Sequence, residues 1–177
     1  MAASVNINET NGPLASPVET IDPSNINMGS IAAAEIAPAT NPVTAKLDGH
    51  AFEKWLHFYL SNLGGSVIVD NFKVWLSNLG GGWRTGEGMS TNARTTGYVA
   101  ASYPSGGPVD TDSSVATQAM PETEPAGANI GIAGSLAGQM VSAPAYSDYV
   151  VIQLDVSALT PAGAVNQKTL TFQWDEQ

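Results

Sequence analysis

Apolar and polar residues alternate most clearly over residues 51–75, and the rest of the chain is organised around that stretch. Phe52, Leu56, Phe58 and Leu60 occupy alternate positions, with Lys54 alone breaking the apolar row. Glu53, Trp55, His57 and Tyr59 fill the other parity. A period of two marks a strand with one face buried. A helix over residues 52–60 is the competing reading, because Phe52, Trp55, Leu56 and Tyr59 also fit helical spacing. Asn62-Leu63-Gly64-Gly65-Ser66 then supplies turn chemistry, and Val67-Ile68-Val69 restarts an extended run of β-branched residues. The pattern predicts two antiparallel strands joined by a short loop. In the second, over residues 67–76, Ile68, Phe72, Val74 and Leu76 share one parity. Asp70 is the misfit, which predicts a bulge at Asp70-Asn71.

The C-terminal end repeats the theme. Val150, Ile152, Leu154 and Val156 alternate with polar or outward positions, a turn follows at Thr160-Pro161-Ala162-Gly163, and Leu170, Phe172 and Trp174 alternate again. This predicts a second hairpin, and two hairpins suffice to face each other as a β-sandwich. Leu60-Ser61-Asn62-Leu63-Gly64-Gly65 recurs as Leu76-Ser77-Asn78-Leu79-Gly80-Gly81, each copy ending a strand with residues that accept positive φ. Residues 80–145 are rich in breakers and predict long loops. Short strands are expected within them at residues 95–100 and 128–132.

Residues 1–45 differ in kind. They contain no aromatic residue, and Pro13, Pro17, Pro23, Pro38 and Pro42 interrupt any ladder. Alone, such a segment cannot offset its ordering entropy by apolar burial. Its short apolar patches, Val5 and Ile7 and then Ile26 and Met28, alternate as an added edge strand does. We therefore read 1–45 as an extended N-terminal arm that orders on a neighbouring subunit, and 46–177 as a β-sandwich domain. The expected fold class is all-β, an antiparallel β-sandwich of immunoglobulin-like or jelly-roll-like type.

Composition narrows the function. Of 177 residues, 18 are glycine and 11 proline, and only 12% are charged, which suits turns and strands over helical bundles. The net charge is −10, and the six cations are scattered along the chain. Nucleic acid and a membrane surface are therefore not expected partners. There is no cysteine, hence no disulfide and no thiolate chemistry. The first residues lack the basic and apolar regions of a signal peptide, so export through a cleaved leader is not expected.

Catalytic patterns are sparse. His50 and His57 lie seven apart and read as a loop histidine and a sheet-surface histidine. Residues 131–138 are glycine-rich without the Lys-Ser/Thr of a phosphate loop, and read as a tight turn between short strands. Asp110 and Asp112 offer too few oxygens for a calcium loop. Nothing in the spacing brings Glu53 and Asp70 together. Trp55, Tyr59, Trp75, Trp83 and Tyr103 are the residues from which a sugar-stacking platform would be built, although strand aromatics are mostly interior. No enzyme activity, cofactor or metal is expected.

The order of these elements carries a resemblance. Ile26-Asn27-Met28-Gly29-Ser30 closes the arm, and Pro42-Val43-Thr44-Ala45 leads to Ala51-Phe52-Glu53-Lys54-Trp55-Leu56. A Gly-Gly turn, Asp70-Asn71-Phe72-Lys73-Val74-Trp75, the Tyr149 to Gln153 strand and Phe172-Gln173-Trp174-Asp175-Glu176 follow. Over most of residues 26–176 this resembles a group of otherwise uncharacterised virion structural proteins of tailed bacteriophages. Lys46-Leu47-Asp48-Gly49-His50 departs from the Gly- and Asn-rich turn usual there. The resemblance implies a virion part with a β-sandwich fold, assembled in a bacterial cytoplasm.

The function expected first is capsid decoration, a cement protein bound to the outer shell. Its partners would be the major capsid protein, other virion subunits and further copies of itself, in a homo-oligomer such as a trimer. Val5, Ile7, Ile26, Met28, Trp83 and Tyr103 are the expected contact residues. A tail, neck or baseplate subunit is the first alternative, and a carbohydrate-binding module of an adhesion fibre the second.

Overall fold

The computed structural model describes residues 2–12, 15–31, 33–37, 39–43, 49–51, 53–78, 80–98, 113–163 and 166–177, with Asn78 and Arg94 described in backbone alone. Among these residues the chain is all-β, with no helix. The strands are β1 (Ser4–Asn11), β2 (Val18–Ile21), β3 (Gly49–His50), β4 (Lys54–Asn62), β5 (Val69–Asn78), β6 (Glu87–Thr95), β7 (Gln118–Ala119), β8 (Ala145–Tyr146), β9 (Tyr149–Val156) and β10 (Thr169–Glu176). They form two antiparallel sheets, neither closed into a barrel. The larger has eight strands in the order β2-β1-β4-β9-β6-β7, with β3 pairing with β9 and β8 with β4. The smaller is β10-β5.

The two sheets share one core. Leu56, Phe58 and Leu60 of β4 and Val150 and Ile152 of β9 are buried with Phe72, Val74 and Leu76 of β5. The Phe58 ring lies 4.8 Å from Phe72, 5.5 Å from Phe172 and 5.7 Å from Trp174, centroid to centroid. All three separations fall in the range of favourable aromatic pairs.

For β4, β5, β9 and β10 the strand positions and inward parities follow the sequence reading, but the strand partners do not. β4 and β5 were expected as one hairpin, and β9 and β10 as another. Instead β4 pairs with β9, and β5 pairs with β10. Each connection crosses from one sheet to the other. The reason is the apolar pattern itself. Hairpin partners put their apolar rows side by side on one face, whereas crossing lets the rows of β4 and β5 meet face to face. Sheets pack about 10 Å apart, and residues 63–68 reach that distance at about 3.3 Å each.

Local details agree more closely. The misfit at Asp70 is a bulge: Gln173 pairs with Lys73, and Asp175 with Asp70, so Asn71 and Phe72 oppose one residue. Asn71 takes φ 53° to make the kink. Both copies of the echo end their strands at the asparagine, Asn62 and Asn78. Asn62 Oδ1 accepts the Gly64 amide at 2.6 Å, and Gly64 has φ 63°.

In the loop-rich region the expectations change. β6, which carries only Met89 and Ala93 as core contacts, occupies residues expected as loop. The strand expected at 95–100 is represented by Thr95 at the end of β6; Val99 and Ala100 lie outside the described residues. The strand expected at 128–132 is a loop, in which the Asn129 and Ile130 amides both donate to Phe72 O. The turn at 131–138 is present, closed by reciprocal Ile132–Ser135 amide bonds, but it does not join two named strands.

Phe58 tests the shared core. Phe58→Ala is expected to lower unfolding free energy by about 3–5 kcal/mol in urea denaturation. A loss below about 1 kcal/mol would contradict the packing described.

Candidate functional site

The N-terminal segment expected as an arm is seated on its own chain. β1 adds to the side of β4 away from β9, with Val5 opposite Leu60, Ile7 opposite Phe58, and Glu9 opposite Leu56. β2 returns along β1 and ends the sheet. Val5 and Ile7 pack against the main core, and so do Ile26 and Met28 from the irregular segment after β2. Four expected contact residues therefore pack on the chain's own core. Trp83 also packs on the core; its Nε1 donates to Glu122 at 2.7 Å, and Lys168 Nζ stands 4.5 Å from the centre of its ring. Tyr103 lies outside the described residues.

Lys54, the break in the apolar row of β4, explains how the segment is held. It faces the core side and is 2% exposed. Its Nζ donates to Glu9 Oε1 at 2.8 Å and to Ala33 O at 2.5 Å. Glu9 is 1% exposed. Burial raises the Glu9 pKa above its ordinary 4.5, and the Lys54 ammonium opposes that rise. One buried ion pair thus joins β1, β4 and the segment after β2. Its worth is asymmetric: removing one partner strands a buried charge, whereas replacing both with apolar groups is often harmless.

The opposite face of β4 carries rings. Trp55 lies 5.1 Å from Tyr98 and 5.5 Å from Tyr149, edge to face. His57 stacks on Tyr149 at 4.7 Å and lies 5.0 Å from Tyr146. Tyr59 stacks on Tyr146 at 4.9 Å. The row is continuous from Tyr98 to Tyr59. Glu19 of β2 reaches across to it, accepting from Asn8 Nδ2 and lying 3.2 Å from His57 Nε2. Burial holds the His57 pKa below its ordinary 6.5, and the Glu19 carboxylate offsets part of that shift. β2 is therefore latched to β4 through a histidine.

Both histidines differ from expectation. His57 is buried within the aromatic row, and His50 is buried with its Nδ1 2.9 Å from Asp155 Oδ1. The glycan platform is not assembled as expected. Trp55 and Trp75 are buried, and Trp55 bonds Glu53 Oε2 at 2.9 Å through its indole N–H. Glu53 also accepts from Ser113 Oγ, while Asp70 accepts from Gln139 and Gln177, so the two carboxylates serve different contacts. Beside Trp83 lies a shallow hollow of about 390 Å³, lined by Glu87, Glu122 and Asp155 among others. Each of these acids already has an internal donor, in Arg84, Trp83 and Ser90 respectively. Among the described residues no group of three or more His, Asp or Glu is placed to hold a metal; Asp110 and Asp112 lie outside them.

What remains open is the outer edge of β2. No strand pairs with it among the described residues. Val18 and Ile21 on it are 56% and 59% exposed. An edge strand with bare apolar side chains and unused backbone groups is a template for another chain. The sequence reading missed β2 as an element; its Val-Glu-Thr-Ile run between Pro17 and Pro23 was the available signal.

No family model, curated protein or solved structure matches the chain.

Two outcomes test this site. Lys54→Met is expected to cost about 3–5 kcal/mol of unfolding free energy, and the double variant Glu9→Leu/Lys54→Met to recover most of it. Equal losses in both would show that the ion pair is not what seats β1. For His57, the unfolded chain takes up a proton at a higher pH than the folded chain does. Its contribution to stability is therefore complete above about pH 6.5 and is lost as pH falls through the lower folded pKa. Glu9, with its raised pKa, has the opposite sign at more acid pH. The difference between the parent and His57→Gln stability curves from pH 7 to 5 is expected to fall with pH; a flat difference would remove His57 as the acid-sensitive group.

Proposed function

We propose that this chain is a structural virion subunit of a tailed bacteriophage, and specifically a capsid decoration (cement) protein. In this reading the two facing sheets are a sandwich of the immunoglobulin-like or jelly-roll-like class. The observation that carries the proposal is the open β2 edge, with Val18 and Ile21 exposed, at the end of a sheet. A shell protein supplies an extended segment to such an edge through main-chain hydrogen bonds, and side-chain pockets add selectivity.

Two further features support it. Of the motifs that resemble phage virion proteins, those at 51–56, 70–75, 149–153 and 172–176 overlap β4, β5, β9 and β10, which contribute to the shared core, whereas Ile26–Ser30 and Pro42–Ala45 lie outside these strands. Among the described residues, Glu9, Lys54, Glu53 and Asp148 are buried side chains that each make a hydrogen bond inside the chain. A decoration protein needs a rigid body and an adhesive edge, and it needs no reacting group. Weak contacts of this kind become strong when symmetry repeats them over a shell.

Deleting the N-terminal residues is a poor test, because it would leave Lys54 buried without Glu9. Val18→Lys/Ile21→Lys instead leaves β1, Glu9 and Lys54 untouched. Purified protein mixed with undecorated shells of its source is expected to occupy regular icosahedral positions in cryo-electron microscopy images. The double variant, still folded by circular dichroism, is expected to lose at least tenfold in occupancy. Parent protein that leaves shells bare would move the reading to a tail, neck or baseplate subunit. A variant that decorates normally would remove the β2 edge from the contact.

A further inference from the structure

We propose that the N-terminal segment is an exchangeable unit, which docks on β4 of a second copy of this chain in the way that it docks on its own. The inference is independent of the virion reading and concerns only this chain.

The segment is held together by its own bonds. β1 and β2 form a hairpin, and Asp22 accepts from Ile7 N at 3.0 Å through its carboxylate. Beyond it, Ser24 N donates to Glu35 Oε1 at 2.6 Å, Asn27 Nδ2 to Ile36 O at 3.2 Å, and Ser30 N to Asn41 O at 3.1 Å. Ile36 is buried, and Ile26 and Met28 pack on the core. Among the described residues, the β1–β2 hairpin up to Asp22 and the stretch from Ser24 to Asn41 thus each carry internal bonds, and the chain continues from Asn41 to β3.

Its seat is equally well defined. It consists of the β4 edge, Lys54 below that edge, and His57 with Tyr149 above it. The contacts across the boundary include the β1–β4 ladder, the Lys54 bonds to Glu9 and Ala33, the His57–Glu19 contact, Thr10 Oγ1 to Tyr149 Oη at 3.3 Å, Tyr98 Oη donating to Gly12 O at 2.5 Å, Ser61 Oγ to Ser4 O at 3.1 Å, and Ala3 N to Glu176 Oε2 at 2.9 Å. None of them requires the two sides to belong to the same molecule. Exchange therefore conserves every contact and changes only the course of the connection and the association entropy.

The chemistry of the seat selects the occupant. An empty seat would leave the Lys54 ammonium buried without its carboxylate, which is strongly unfavourable. A replacement must supply an extended strand with a carboxylate at the Glu9 register, a carbonyl at the place of Ala33 and a second acid for His57. A second copy's N-terminal segment supplies all three. A shift of one residue would turn the Glu9 carboxylate to the other face, so register is selected as well.

The absence of cysteine from the chain makes the test direct. Ser4 and Asn62 are opposed across β1 and β4, and both are exposed. Chains carrying Ser4→Cys and Asn62→Cys, each with a different tag, are unfolded in urea, refolded together and oxidised. The Ser4→Cys/Asn62→Cys double variant serves as the reference for closure within one chain. Exchange predicts a disulfide-linked pair bearing both tags, at a yield that rises with protein concentration.

A second measurement uses charge. Glu9→Lys spoils the arm of one chain, and Lys54→Glu spoils the seat of another, so neither chain closes on itself with the native pair. Refolded one to one, they form that pair only between molecules: the Lys54→Glu chain donates Glu9 to the Lys54 of the Glu9→Lys chain. Exchange predicts hetero-dimers by native mass spectrometry and a higher melting temperature than either chain alone. Single-tag monomers in the first experiment, together with a mixture in the second that behaves as the sum of its components, would overturn the proposal. The readout involves no shell, so failure to decorate capsids leaves it unaffected.

Discussion

A lysine inside an apolar row governs how this chain closes. Lys54 points into the core side of β4, where an unpaired ammonium is untenable, and Glu9 meets it there from β1. That pairing decides which strand covers the free side of β4 and fixes the register. A slip of one residue would carry Glu9 to the aromatic face and Asn8 or Thr10 to the core. From that register follow the burial of Val5 and Ile7, the position of β2 beyond β1, and the approach of Glu19 to His57. Apolar burial drives the collapse of the two sheets, while the ion pair selects one arrangement of the N-terminal strands among those that collapse alone would allow.

The sequence was most informative where a side chain's direction is set by its own neighbours. Alternation in β4, β5, β9 and β10 gave their extents and inward faces, and the misfit at Asp70 gave the bulge. Pairing was not legible, because an apolar row reports that it must be covered and not by what. The loop after β4 has the residues of a hairpin turn, yet it spans two layers. β6 escaped notice for a related reason. Glu87, Ser90, Thr91, Asn92 and Arg94 dominate it, and its place in the sheet comes from the β9 ladder, not from its own hydrophobicity.

The same limit applies to the candidate site. The two parities of β4 were visible, including Lys54 as an irregularity and Trp55, His57 and Tyr59 as a second row. The partners of those residues come from far along the chain: Glu9 and Glu19 on one side, Tyr98, Tyr146 and Tyr149 on the other. No local spacing links them. The apolar residues of the first forty positions were expected to pack on a neighbouring subunit. In this structure they cover the chain's own core, and the exposed positions on that segment are Val18 and Ile21 instead.

The crossing of both connections has a bearing on synthesis. β4 leaves the ribosome about ninety residues before β9, and β5 about a hundred before β10. Until β8 and β9 are made β4 has only β1 as a ladder partner, and until β10 is made β5 has none among the described residues. The final residues are needed at the very start: Glu176 accepts the amide of Ala3 at 2.9 Å, and Gln177 O accepts those of Val67 and Ile68. The larger sheet needs the chain as far as β9, and the smaller needs it as far as β10. Non-local pairing of this kind is slow and leaves sticky intermediates exposed. A cell that makes this chain must therefore shield the apolar row of β5 until residues 169–176 have emerged, and the synthesis of β10 decides when that exposure ends.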